Sequence, residues 1–203
     1  LVEQSNALST NFYKSFRLII AAVIFVIAVP TAFTYNRLAS AENDVDASWS
    51  QVENVMQRRA DLVPNLVESV QGSMQQEQEI FGNIAEARQA YNEADTPEET
   101  VEANDELSGQ LSTMVNVIRE DYPELSSNDN VRTLMSQLEG TENRISTERR
   151  RYIQSVNKYN QLLVRFPNNL VANIFNFDRK DNFEAEEGAQ EVPEVDFDID
   201  TSE

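Results

Sequence analysis

The sequence predicts an all-α protein, with one N-terminal transmembrane helix followed by an antiparallel up-and-down bundle of four long helices. Three observations carry this. Only five Gly and six Pro occur in 203 residues, and the bulk is helix-forming Ala, Glu, Gln, Leu and Arg. One uncharged run is long enough to cross a bilayer. Beyond it, apolar residues recur every three, four and seven positions.

The uncharged run lies between Arg17 and Arg37, 19 residues centred on Leu18–Thr34 (LIIAAVIFVIAVPTAFT). At 1.5 Å per residue it extends about 28 Å, one hydrocarbon core. Phe12, Tyr13, Phe16 and Tyr35 are placed as interfacial aromatics. Pro30 is tolerable there with a bend. Ala39-Ser40-Ala41 offers a signal-peptidase reading, but Arg37 separates it from the apolar run, which favours a retained anchor. Residues 1–15 read as an extension and 16–35 as the span. Lys14 and Arg17 outnumber Arg37, which places the N-terminus in the cytoplasm and the bundle outside.

Residues 36–166 form the bundle. Val45, Val52 and Leu66 make one seven-residue series with Arg59 in its gap, and Trp49, Met56, Val63 and Val70 make a second. Asp61 is a candidate cap with Pro64 in the first turn after it, which predicts a helix–helix turn at Arg59–Leu62. The unbroken heptad phase supports the alternative of three bundle helices, the first kinked at Pro64. The second helix is expected from Leu62 to Tyr91. Thr96, Pro97, Glu98 and Glu99 mark the start of the third, which stops before Pro123. The fourth follows Asn128 and ends at Pro167, with Val131, Leu138, Ile145, Tyr152, Tyr159 and Phe166 seven apart.

Such a bundle returns its last helix to the membrane. The segment 167–180 carries Leu170, Val171, Ile174, Phe175 and Phe177, too short to span but suited to lying at the interface. Folding back onto the bundle base is the competing reading. Residues 181–203 are acidic and largely extended, with Val192, Val195 and Phe197 able to add to a partner as a strand or groove peptide.

Composition bounds the chemistry. The chain has no Cys and no His and a formal charge of −19. Thiol and imidazole catalysis, zinc–thiolate sites and the Glu-x-x-His di-metal pattern are therefore excluded. Phosphate-tracking nucleic-acid binding is disfavoured by the charge. No catalytic, cofactor or metal residue is assigned. Glu142, Glu148 and Arg149 are the one cluster that suits acid–base work, which gives a carboxylate enzyme as an alternative. The preferred reading of Trp49, Arg59, Glu142, Glu148, Arg149 and Tyr152 is a structural polar seam that fixes helix register.

Several blocks resemble the LemA family of bacterial membrane-anchored proteins. They are YNRL (35–38), VDASWSQV (45–52), RRADLVPNLVE (58–68), YPEL (122–125), LEGTENRI (138–145), RRRY (149–152), FPNNLVA (166–172), FEAEEGA (183–189) and VDF (195–197). The extension before Arg17 and the acidic balance depart from the family pattern. The resemblance implies a single membrane helix in the bacterial inner membrane, a helical bundle and no established reaction. It also implies a link between some relatives and the shaping of bacterial membrane compartments. The expected role is a non-enzymatic scaffold that self-associates and organises the bilayer or holds partners. The alternative is an adaptor or sensor subunit of a complex with another membrane protein. Expected partners are the lipid bilayer and further copies of the chain, with no cofactor and no nucleic acid.

Overall fold

A computed structural model describes the backbone of residues 2–181 and the side chains of residues 17–181, apart from positions 21 and 23. Six helices follow in order: α1 (Val2–Val70), α2 (Gln78–Glu93), α3 (Pro97–Asp121), α4 (Pro123–Ser126), α5 (Asp129–Val164) and α6 (Asn168–Phe175). The all-α expectation holds among the described residues, as does the apolar N-terminal helix.

The predicted turn at Asp61 and Pro64 is not there. α1 continues for 69 residues through Pro30 and Pro64 without a break. A proline inside a helix ordinarily costs about 3 kcal/mol, partly because it leaves the carbonyl four residues earlier unpaired. For Pro64 that carbonyl belongs to Ala60, and Arg88 Nε of α2 donates to it at 3.1 Å. The bond replaces the lost helical one and staples α2 onto α1. Asp61 does not cap; its carboxylate accepts from Gln57 one turn earlier at 2.9 Å. The real break falls at 71–77, so residues 62–70 belong to the first helix and the second starts at Gln78. Four long helices still build the bundle, with α4 as a short extra turn.

Arg88→Ala strands a carbonyl on the buried Ala60, and we expect a loss of about 1–2 kcal/mol by thermal unfolding of the full chain in detergent. The same substitution in a Pro64→Ala background, where residue 64 regains its N–H, should cost much less. Equal losses in both backgrounds would rule out the staple.

Other boundaries match their local chemistry. Thr96 caps α3 in a reciprocal capping box with Glu99. The Glu99 carboxylate accepts from the amides of Asp95 and Thr96, which holds its pKa below the ordinary value. Asn128 caps α5 through the amides of Asn130 and Val131.

The core is the heptad pattern made solid. Val45, Val52, Met56, Val63, Leu66 and Val70 of α1 and Val131, Leu138, Ile145, Tyr152 and Tyr159 of α5 are all buried. Phe166, the last of that series, lies beyond the end of α5 and is 80% exposed. α1 and α5 run antiparallel in fixed register, with Trp49 against Tyr152, Arg59 against Glu142 and Ser69 against Asn130. α2 and α3 form the second hairpin, tied to α5 through Asp105 and to α1 through Ser108 and Arg88. Met74, in the link after α1, is fully buried, and Tyr122 reaches the same end to bond Glu77 at 3.3 Å. From Tyr35 to Val70, α1 rises about 53 Å, so the bundle is a narrow post continuous with the apolar helix.

Candidate functional site at the membrane end of the bundle

Two groups of residues stand out, a polar seam midway along the post and a clasp at its membrane end. In the seam, Arg59 is 2% exposed. It donates to Glu142 of α5 and to Ser108 of α3, so one guanidinium joins three helices. Burial pushes its pKa below the ordinary arginine value, and the Glu142 carboxylate pulls it back up. Arg149 donates to both carboxylate oxygens of Asp105, at 3.2 and 2.5 Å, and so ties α5 to α3. Glu148 instead accepts from Arg151 on its own helix at 2.8 Å. No hydrogen bond or ion pair among the described residues joins Glu142 to Glu148. The expected cluster is therefore resolved into three separate pairings. Trp49 and Tyr152 meet edge to face, ring centroids 5.7 Å apart.

Asp105 and Ser108 escaped the sequence reading because they lie on α3, whose apolar spacing is less regular. A cleft of about 340 Å³ opens beside the seam, between Arg59, Arg119, Glu139 and Glu142. It is lined by opposed charges, with Ser108 bonded to Arg59 and to the Asn104 carbonyl.

The clasp starts where α5 ends. The chain turns at Phe166–Pro167 and runs back as α6. Asn176 closes α6 in the left-handed region at φ 55°, with the amides of Asn176 and Phe177 both bonded to the Ala172 carbonyl. That turn swings Phe177 onto Tyr35 at 5.5 Å between ring centroids, while Phe175 meets the same ring at 4.9 Å. Three residues read from the sequence as membrane-proximal, Tyr35, Phe175 and Phe177, thus meet in one aromatic cluster. Asn160 of α5 then brackets Lys180, donating to its carbonyl at 2.8 Å and accepting from its amide at 3.1 Å. The Lys180 ammonium reaches Glu42 at 3.4 Å and Asp46 at 3.8 Å on α1. Residues 166–180 thus wrap around α1 as it leaves the apolar run.

Leu170 and Ile174 do not turn inward; they are 52% and 71% exposed. Among the described residues, every exposed large apolar side chain lies between Leu18 and Tyr35 or between Val164 and Phe175. Leu170 and Ile174 are four apart on α6 and so share one outward face, and Phe166 is exposed in the turn just before it. One side of α6 packs on the bundle through Val171 and Ala172, and the other is bare. Val192, Val195 and Phe197 lie outside the described residues.

Tyr159, fully buried at the centre of the clasp, has no hydrogen-bond partner for its hydroxyl among the described residues. Burial, with Glu42 nearby, pushes its pKa up to about 12; burial does the same to Tyr91 on α2. The unfolded chain loses these protons near pH 10 and the folded chain does not. Stability is therefore constant below pH 10 and falls between pH 10 and 12, by about 1 kcal/mol per tyrosine at pH 11. Alkaline unfolding should be shallower in Tyr91→Phe and Tyr159→Phe, and at neutral pH Tyr159→Phe should be neutral or slightly stabilising. Unchanged alkaline curves in both variants would contradict this.

Comparison with known proteins now adds to the geometry. The family model described as LemA family matches residues 48–197. Two curated proteins of Paramagnetospirillum magneticum (strain ATCC 700264 / AMB-1), magnetosome protein MamQ 1 and magnetosome protein MamQ 2, are each 26% identical over 204 residues. Each alignment covers 87% of this chain and 74% of the relative.

Proposed function

The chain belongs to the LemA family, and from that premise and the form of its membrane end we propose that it is a membrane-anchored, non-enzymatic scaffold. In this reading it self-associates and organises the bilayer around it or holds partner proteins against it. The observation that carries the reading is α1. One unbroken helix is both the apolar segment, whose most apolar window is wholly unburied, and the first core helix of the bundle. A hinge would let a tethered domain sample space; a continuous helix fixes its angle to the membrane. The clasp adds a second point of support, because its bare apolar face lies at the level where α1 emerges. Fully burying a Leu, Ile or Phe side chain is worth roughly 1.5–3 kcal/mol, so even half-burial of Phe166, Leu170 and Ile174 resists tilting.

Two relatives are named for the magnetosome, which agrees with a role in organising a cellular structure rather than in turning over a substrate. The seam supports the same view, since Arg59, Glu142, Asp105 and Arg149 are engaged with one another across helices. We place the protein in the inner membrane with its N-terminus cytoplasmic and its bundle outside. Because the chain has no Cys, a single Ser127→Cys variant labelled from outside by an impermeant maleimide tests that orientation.

The test of the scaffold is the mass of the complex extracted from its own membrane into lipid nanodiscs at native expression. A closed homo-oligomer is expected. A single copy bound to a second membrane protein would replace the scaffold by the adaptor reading, and a lone monomer would count against both.

A further inference from the structure

On the side of the post, directly above the span, a groove of about 440 Å³ runs between α1 and α5. Arg37, Ser40 and Asp44 line it from α1, and Lys158, Gln161 and Arg165 line it from α5. Arg37 is three residues beyond Thr34, so it stands about 5 Å past the end of the apolar run, within the headgroup layer of a bilayer. Arg165 lies as far past Tyr152 as Asn36 lies before Trp49, and the contact of those two rings brings it to the same height.

The charges in this groove do not cancel. Arg37 and Arg165 are exposed and make no ion pair among the described residues. Arg165 Nη2 donates only to Gln161 of its own helix, at 3.3 Å. Lys158 approaches Asp44 at 3.9 Å, the outer limit of an ion pair. Three cations therefore face one carboxylate in a chain whose formal charge is −19. Such a surplus of positive charge is out of keeping with the rest of the sequence, and its height matches that of lipid phosphates. Val164 and Phe166, the chain neighbours of Arg165, are both exposed and add apolar surface at this end of the bundle.

We infer that this groove is a binding site for the phosphate headgroup of an anionic phospholipid, gripped by Arg37 and Arg165 with Lys158 behind them. Guanidinium groups suit this task because two parallel N–H donors match two phosphate oxygens. The net surplus selects anionic over zwitterionic lipid, whose own cation meets the same three basic groups. An occupied groove would pin α1 to α5 at the bilayer and fix the rotation of the post about its axis.

The inference rests on the membrane-anchored reading, and the experiment separates the two. The full chain is reconstituted in nanodiscs of equal phosphatidylglycerol and phosphatidylcholine. Co-flotation with vesicles establishes insertion, and native mass spectrometry then counts the lipids retained per chain. Floating protein that retains phosphatidylglycerol over phosphatidylcholine by about tenfold is expected. Arg37→Gln with Arg165→Gln should bring that ratio to about one while flotation persists. Arg132→Gln, at the far end of the post, should leave it unchanged. Inserted protein with no headgroup preference, or a preference that survives the double variant, overturns the inference. So does loss of the retained lipid in millimolar inorganic phosphate, which would identify a soluble anion as the occupant. Failure to float would instead remove the membrane-anchored reading itself.

Discussion

Glu142→Ala is expected to lower the stability of the bundle by about 2–3 kcal/mol, whereas Arg59→Met leaves it within about 1 kcal/mol of the parent. The contrast follows from where each partner sits. Arg59 is buried at 2% exposure, while the Glu142 side chain is 57% exposed. Removing the carboxylate strands a cation among Val52, Met56, Val63 and Leu66 of its own helix face, with the Ser108 hydroxyl as its remaining hydrogen-bond partner and the field of Asp105 opposed by that of Arg149. Breaking a fully buried pair in this way costs 3–5 kcal/mol, and the partial access of water on the Glu142 side reduces that figure. Removing the arginine strands nothing. Glu142 turns to solvent, Ser108 keeps its bond to the Asn104 carbonyl at 2.8 Å, and a methionine of similar length fills the seam. Thermal unfolding of the two single variants decides the matter. If Arg59→Met proves the more damaging, the ion pair does more for stability than its burial allows.

Trp49→Ala and Tyr152→Ala are expected to cost about 2–3 and about 3 kcal/mol respectively, and together less than their sum by about 1 kcal/mol. Both rings stand where only α1 and α5, flanked by the start of α3, carry the post. Tyr152 is buried and Trp49 half-buried, which ranks the single effects. The shortfall measures the edge-to-face contact itself. Unchanged melting in both variants would remove these residues from the core and with them the α1–α5 register.

Much of this was legible from local pattern. The apolar run, the Thr96 cap and the heptads of α5 are each written within a few residues, and each appears where the pattern puts it, except that Phe166, the last of the series, falls past the helix end and is exposed. The second boundary was not legible. Asp61 and Pro64 carry the chemistry of a helix start, yet what decides the conformation there is Arg88, 28 residues away. A proline's unpaired carbonyl predicts a break only if nothing else reaches it. The true link, Gln71-Gly72-Ser73, did carry turn residues, but Met74 kept the apolar rhythm going because it plugs the core from a non-helical position.

The seam was legible by halves. Glu142 only flanks the seam, seven residues before Arg149, while Arg59 and Glu148 interrupt apolar stripes and so announce themselves. Asp105 and Ser108 do not, because a polar residue on a polar helix face gives no sign that it points inward. The clasp was foreshadowed by the apolar residues of 167–180. Its closure depends on the Asn176 turn and on Asn160 holding Lys180, contacts that only the folded chain brings together.

The central claim is that the bundle stands upright on the bilayer, its membrane end seated and its far end clear. The most direct measurement compares two single-cysteine variants of the full chain in vesicles, Asn173→Cys on α6 and Ser127→Cys at the opposite end, each carrying a fluorophore. Lipids bearing a nitroxide on the headgroup quench only what touches them. Strong quenching is expected at residue 173 and none at residue 127, about 50 Å away along α1. Equal quenching at both positions would mean that the bundle lies flat, and no quenching at residue 173 would mean that the clasp never meets the membrane.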